Sequence, residues 1–150
     1  MALFRLAWAR EDPRWNWILL QPPRSAGDCG IEEPYFICME LLLAHGVDPN
    51  VPGHFGQTVL HYVAARGTLS EIARVRFASM LLDGGARLDV RDELLRSTPL
   101  GWACRWGRKA MVDLLLARGA RADEPDAEPW ATPLSWATKM GHSAIAAILR

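Results

Sequence analysis

The sequence predicts an all-α solenoid, a stack of helix-turn-helix units with projecting loops between them. Three observations predict it. Three segments begin alike: TVLHYVAARG from Thr58, TPLGWACRWG from Thr98 and TPLSWATKMG from Thr132. A Leu-rich unit alternates with them: ELLLAHGVDPN from Glu40, SMLLDGGARLD from Ser79 and DLLLARGARAD from Asp113. Each unit also contains a glycine at a fixed place near its end. Self-similarity of this kind marks an array whose units cannot bury their apolar faces alone and do so by stacking.

The elements follow in order. Residues 1–34 read as an irregular N-terminal cap or degenerate first repeat: ALFRLAWARE can form an amphipathic helix, WNWILL adds an apolar patch, and Pro22 to Gly30 is a Pro/Gly-rich loop. Residues 35–46 supply the second helix of one repeat, and further repeats start near 53, 92 and 126, all in one structural domain. In the first helix of each repeat, Thr98–Pro99 and Thr132–Pro133 are helix starts. The threonine hydroxyl accepts from a free backbone N–H, and proline at the first helical position loses no hydrogen bond. Gly67, Gly107 and Gly141, nine residues after each Thr, offer the left-handed conformation that stops a helix after about two turns. The Leu-rich helices stop likewise at Gly46, Gly85 and Gly119. Two departures stand out. The loops that end at Thr98 and Thr132 are one residue longer than the one that ends at Thr58, and the interval from Gly67 to Gly85 carries six extra residues in or beside TLSEIARVR. The last segment, HSAIAAILR, is the second helix of the final repeat; the chain is expected either to be capped there or to continue past Arg150.

These paired units resemble the ankyrin repeat, whose period is about 33 residues with a T-P-L-H-x-A pattern. The Thr-to-Thr spacings here are 40 and 34, and the resemblance covers roughly residues 35–150. It implies stacked helix pairs with hairpin-like loops on one side. It also implies protein binding through the loop tips and the exposed side of the first helices, which together make a concave surface. Carried onto this chain, the partner-binding residues are Phe55, Gln57, Leu94, Leu95 and Trp130 at the tips, and Arg66, Arg105, Trp106, Lys139 and Met140 on the helices. Apolar anchors are expected to hold the partner while Arg66, Arg105 and Lys139 steer toward an acidic rim. The alternative is that Leu94, Leu95 and Trp130 fold back to seal the long loops.

Candidate chemistry divides by repeat column. Trp102 and Trp136, with Tyr62, share one column and are expected to pack in the core. Trp106 shares a column with Arg66 and Met140, a scatter of residue types that fits solvent better than a core. Cys104 is expected to be a packed small residue, because a reactive thiol needs a base beside it. His61 is the one histidine in the T-P-L-H position, where the resemblance implies a structural hydrogen bond; His45 and His142 sit beside helix-end glycines. The acid pairs Glu32–Glu33 and Asp92–Glu93 are expected on solvated loops. No catalytic set, metal site or phosphate-binding Gly-rich loop emerges from the spacing, so no enzyme activity, metal or cofactor is expected.

Composition agrees with a packed, globular chain: half of the 150 residues are hydrophobic and 23% are charged. A formal net charge of zero gives no global field toward nucleic acid or anionic lipid. No segment reaches the roughly 18 consecutive apolar residues of a membrane span. Three cysteines without C-x-x-C spacing suit a reducing compartment. The expectation is therefore a cytoplasmic monomer that binds a protein partner and neither nucleic acid nor membrane, with a stabilising or targeting segment of a larger enzyme or effector protein as the alternative.

Overall fold

The computed structural model describes residues 33–65 and 67–150. The expected N-terminal helix and the WNWILL patch lie outside the described residues, as does Arg66. Among the described residues seven α-helices follow in order: α1 (Glu33–Ala44), α2 (Val59–Ala65), α3 (Glu71–Asp83), α4 (Pro99–Arg105), α5 (Lys109–Ala117), α6 (Pro133–Lys139) and α7 (Ser143–Ile148). A single 3-10 turn, His54–Gly56, precedes α2, and no strand occurs among the described residues. The first described helix starts two residues before the expected 35–46, because Glu33 and Pro34 suit a helix's opening turn.

The short helices start where the sequence places them. Thr98 Oγ1 accepts from Gly101 N–H at 3.3 Å and Thr132 Oγ1 accepts from Ser135 N–H at 3.2 Å, each with proline in the first turn. Gly46, Gly85, Gly107, Gly119 and Gly141 all take positive φ and close their helices. Gly67 does not, contrary to the expectation, because the insertion replaces the tight turn there with a longer one. Of the six extra residues, four lengthen α3 to 13 residues against the 9 of α5, roughly one further turn. The other two fall in the turn that precedes α3. Arg74 fastens that turn: its buried guanidinium donates from Nη1 to Val63 O and from Nη2 to Leu69 O, each at 3.0 Å. Burial, with Arg108 nearby, draws its pKa down to about 10, so it keeps its charge at neutral pH.

Stacking proceeds in two rows. Helices α2, α4 and α6 form one row and α1, α3 and α5 the other, while α2–α3, α4–α5 and α6–α7 pack within their pairs. The interior lies between the rows, around Met39, Leu60, Leu81, Leu100, Met111 and Leu115, all fully enclosed. Val63, Ala64, Ala103, Cys104 and Ala137 fill the column of small side chains that lets neighbouring helices of the first row approach. This row and the loops that lead into it carry the described site residues expected from the sequence.

Candidate functional site

The loop before α4 is built on a buried carboxylate. Asp92 accepts from Leu94 N–H (3.0 Å), Leu95 N–H (2.8 Å) and Ser97 N–H (3.1 Å), and its Oδ1 also takes the indole proton of Trp102 at 2.9 Å. Asp92 is thus not the solvated loop acid expected from its neighbour Glu93: four donors replace its water. The same network bends Arg96 to a φ of 50°, in the column where the preceding loop has Gly56. Loops then join edge to edge. Phe55 O accepts from Glu93 N–H at 2.7 Å, and Ser97 Oγ donates to Ala131 O at 3.0 Å. Their tips therefore form a single ledge.

Behind the ledge, Trp136 is a hub. Its Nε1–H donates to Ser97 Oγ at 2.8 Å, which ties α6 to the preceding loop. The Trp130 ring meets it edge-on at 6.1 Å between centroids, the Arg105 guanidinium lies 4.5 Å from its centroid, and Lys139 Nζ lies 5.3 Å from it. Arg105 also lies 5.6 Å from the centre of Trp106. A continuous strip results, running from Trp130 at the loop tip through Trp136 and Arg105 to Trp106 at the end of α4, with Lys139 beside it. Sequence reasoning placed Trp136 in the core alone. Its column gave no sign that two cations from neighbouring repeats would converge on its ring.

The other expected site residues separate. Phe55, Leu94, Trp106, Trp130 and Met140 are all exposed, from 43% for Met140 to 59% for Phe55. Leu94 and Trp130 therefore stay in solvent, whereas Leu95 packs partly against the core. Gln57 is a correction, being only 5% exposed: it precedes Thr58 where the chain turns inward to start α2, and it offers no surface to a partner. Phe55 holds a φ of 56° and an exposed ring, while its carbonyl makes the loop-to-loop bond to Glu93.

Buried polar groups explain the remaining candidates. Thr58 N–H donates to His61 Nδ1 at 3.1 Å, which leaves the proton on Nε2 for Ser97 O at 3.2 Å. Burial lowers the His61 pKa to about 4. Cys104 is enclosed, and burial, with Glu124 nearby, pushes its thiol up to about 12, the opposite of what a nucleophile requires. Glu124, itself buried, takes the Thr98 hydroxyl proton at 2.6 Å and pairs with Arg91 at 3.2 Å. A cleft of about 360 Å³ beside them is lined by charges of both signs. Among the described residues no three His, Cys, Asp or Glu side chains come together as a metal site, and no helix is long and apolar enough to cross a membrane.

Two rows of helix pairs, T-P-L helix starts and edge-joined loops make a repeat architecture, and the family comparison agrees: a model for ankyrin repeats, in three copies, matches residues 31–126 and 75–150. The chain belongs to the ankyrin repeat family. A search of curated proteins found no match. Ankyrin repeats are generally protein–protein interaction modules and are typically non-catalytic. In this ankyrin array, the ledge of loop tips with Trp106 and Trp130, which flank the buried Trp136, lies along the first-helix row.

Proposed function

We propose that the chain is a non-catalytic module that holds a protein partner on the face made by its loop tips and the first helix of each repeat. The observation that supports this reading most is the strip from Trp130 through Trp136 and Arg105 to Trp106. It combines two exposed indoles, Trp106 and Trp130, and an arginine around the buried Trp136, and Trp and Arg dominate binding energy at protein interfaces. Phe55 and Leu94 extend the apolar part along the ledge, and Met140 adds a pliable side chain able to fit irregular surfaces.

The test is affinity purification of the full chain from its native host, identification of co-purifying proteins by mass spectrometry, and titration of the recovered partner. Replacing Trp106 and Trp130 together by Ala is expected to weaken binding about thirtyfold or more, the scale of a lost interface hot spot. Unchanged affinity, with the helical circular dichroism intact, would sink the assignment.

A further inference from the structure

The geometry points to the chemistry of the partner: an acidic segment that places an Asp or Glu carboxylate against Arg105, with Lys139 adding to the local positive charge and large apolar side chains flanking it. This rests on the protein-binding reading above and specifies what the face selects.

Two like charges, from neighbouring repeats, converge on one indole. Arg105 Cζ and Lys139 Nζ lie 4.5 and 5.3 Å from the Trp136 centroid. A ring quadrupole attracts each cation but supplies no counter-charge. Six other described Arg and Lys side chains do have acidic partners: Arg76, Arg87, Arg91, Lys109, Arg118 and Arg121. Among the described residues Arg105 and Lys139 form no such pair, nor do Arg96, Arg108 and Arg150, but only Arg105 and Lys139 meet on one ring. The contact to the ring does not use up the N–H donors of the Arg105 guanidinium, and a guanidinium donates in the fork that fits a carboxylate. Trp106 and Trp130 stand on either side of the pair, so an apolar residue before and after the acid has a surface to settle on.

The charge pattern favours a peptide carboxylate over a nucleic-acid backbone. Phosphate chains are held by runs of cations, whereas here there are two, and the loops that lead into α4 and α6 carry the exposed acids Glu93, Asp126 and Glu128. The net charge of zero adds no attraction of its own.

The full chain is to be applied to an array of immobilised 12-residue peptides in which acidic, amide, basic and apolar positions vary independently. Selected peptides should carry Asp or Glu beside Leu, Phe or Trp, and should bind about tenfold tighter than their Asn or Gln counterparts, the scale of one partly exposed charged hydrogen bond. Arg105→Met with Lys139→Met keeps aliphatic cover on Trp136 while removing both charges. This variant should lose the acid preference yet still bind apolar peptides, and retained thermal stability shows that its fold survives. Selection of neutral or basic peptides, an acid preference that survives the double substitution, or no peptide binding at all overturns the inference. Displacement of bound peptide by an equal concentration of single-stranded oligonucleotide overturns the partner class. Peptide binding that is lost in the Trp106→Ala, Trp130→Ala variant but shows no acid preference leaves the docking face standing and removes this inference alone.

Discussion

Glycine at a helix stop does two different jobs in this chain. At Gly119 the backbone takes a φ of +93° and an added Cβ would meet nothing within 4 Å, so only the conformation requires glycine. At Gly107 φ is +67° and an added Cβ would also lie 2.6 Å from His142 Cε1. That imidazole cannot swing away freely, since its Nε2 is held by Arg105 O at 3.2 Å. Gly119→Ala should therefore cost about 1–2 kcal/mol, the left-handed penalty for an L-residue, and Gly107→Ala about twice that through the displaced ring. Denaturant titration of both variants measures the difference. Adding His142→Ala to each should shrink the gap, and an unchanged gap would mean that the ring is not what Gly107 makes room for. The sequence showed both glycines as equivalent members of one pattern, because their distinction lies in a neighbour 35 positions away.

At the scale of the element, helix starts were legible because a cap is local: Thr and Pro at fixed spacing carry the instruction within four residues. What each cap is coupled to was not. Thr132 Oγ1 donates to Ser135 Oγ, a partly buried contact within its own turn. Thr98 Oγ1 donates instead to Glu124, a buried carboxylate from the next loop. Thr132→Ala is thus expected to cost about 1 kcal/mol, the usual value of a cap, while Thr98→Ala should cost about 2–3 kcal/mol because a buried acceptor also loses its donor. Equal losses in urea titrations would refute the coupling. The start of α2 adds a pH dependence. Burial holds the His61 pKa at about 4, below the 6.5 of an unstrained histidine. The unfolded chain therefore binds the extra proton first as pH falls. Stability from this group is complete above pH 6.5, declines between 6.5 and about 4, and changes no further below that, for a total of roughly 3 kcal/mol. His61→Asn should be less stable at pH 7.5, and its deficit relative to the parent chain should narrow by about that amount at pH 4. A deficit constant across this range would show that His61 titrates normally in the fold.

Across the whole molecule, the repeat pattern gave the order of elements because each unit writes its own signature, whereas the face it builds depends on contacts between units. Trp136 illustrates the difference: it is buried in the core as its column predicts, but its meeting with Arg105 of the preceding repeat and Trp130 of its own loop could not be read from that column. Asp92 and Gln57 were misread for a more local reason: Asp92 is enclosed by donors of its own loop and by Trp102, and Gln57 sits where the chain turns inward to start α2. An array joined in this way should also unfold by position. Leu100 lies in α4, which packs on α2, α5 and α6, and it is fully buried; Ile145 lies in α7, whose main packing partner is α6. Leu100→Ala is expected to cost about 2–5 kcal/mol and to lower amide protection throughout the described repeats. Ile145→Ala should create a cavity of similar chemistry yet raise hydrogen exchange mainly in α6 and α7, because nearest-neighbour coupling decays along the stack. Exchange mass spectrometry at a fixed low denaturant concentration separates the two patterns. Uniform loss of protection in both variants would mean that the array is one cooperative block, and that a partner held at Trp106 would then stabilise Met39 in α1 as much as Trp136 in α6.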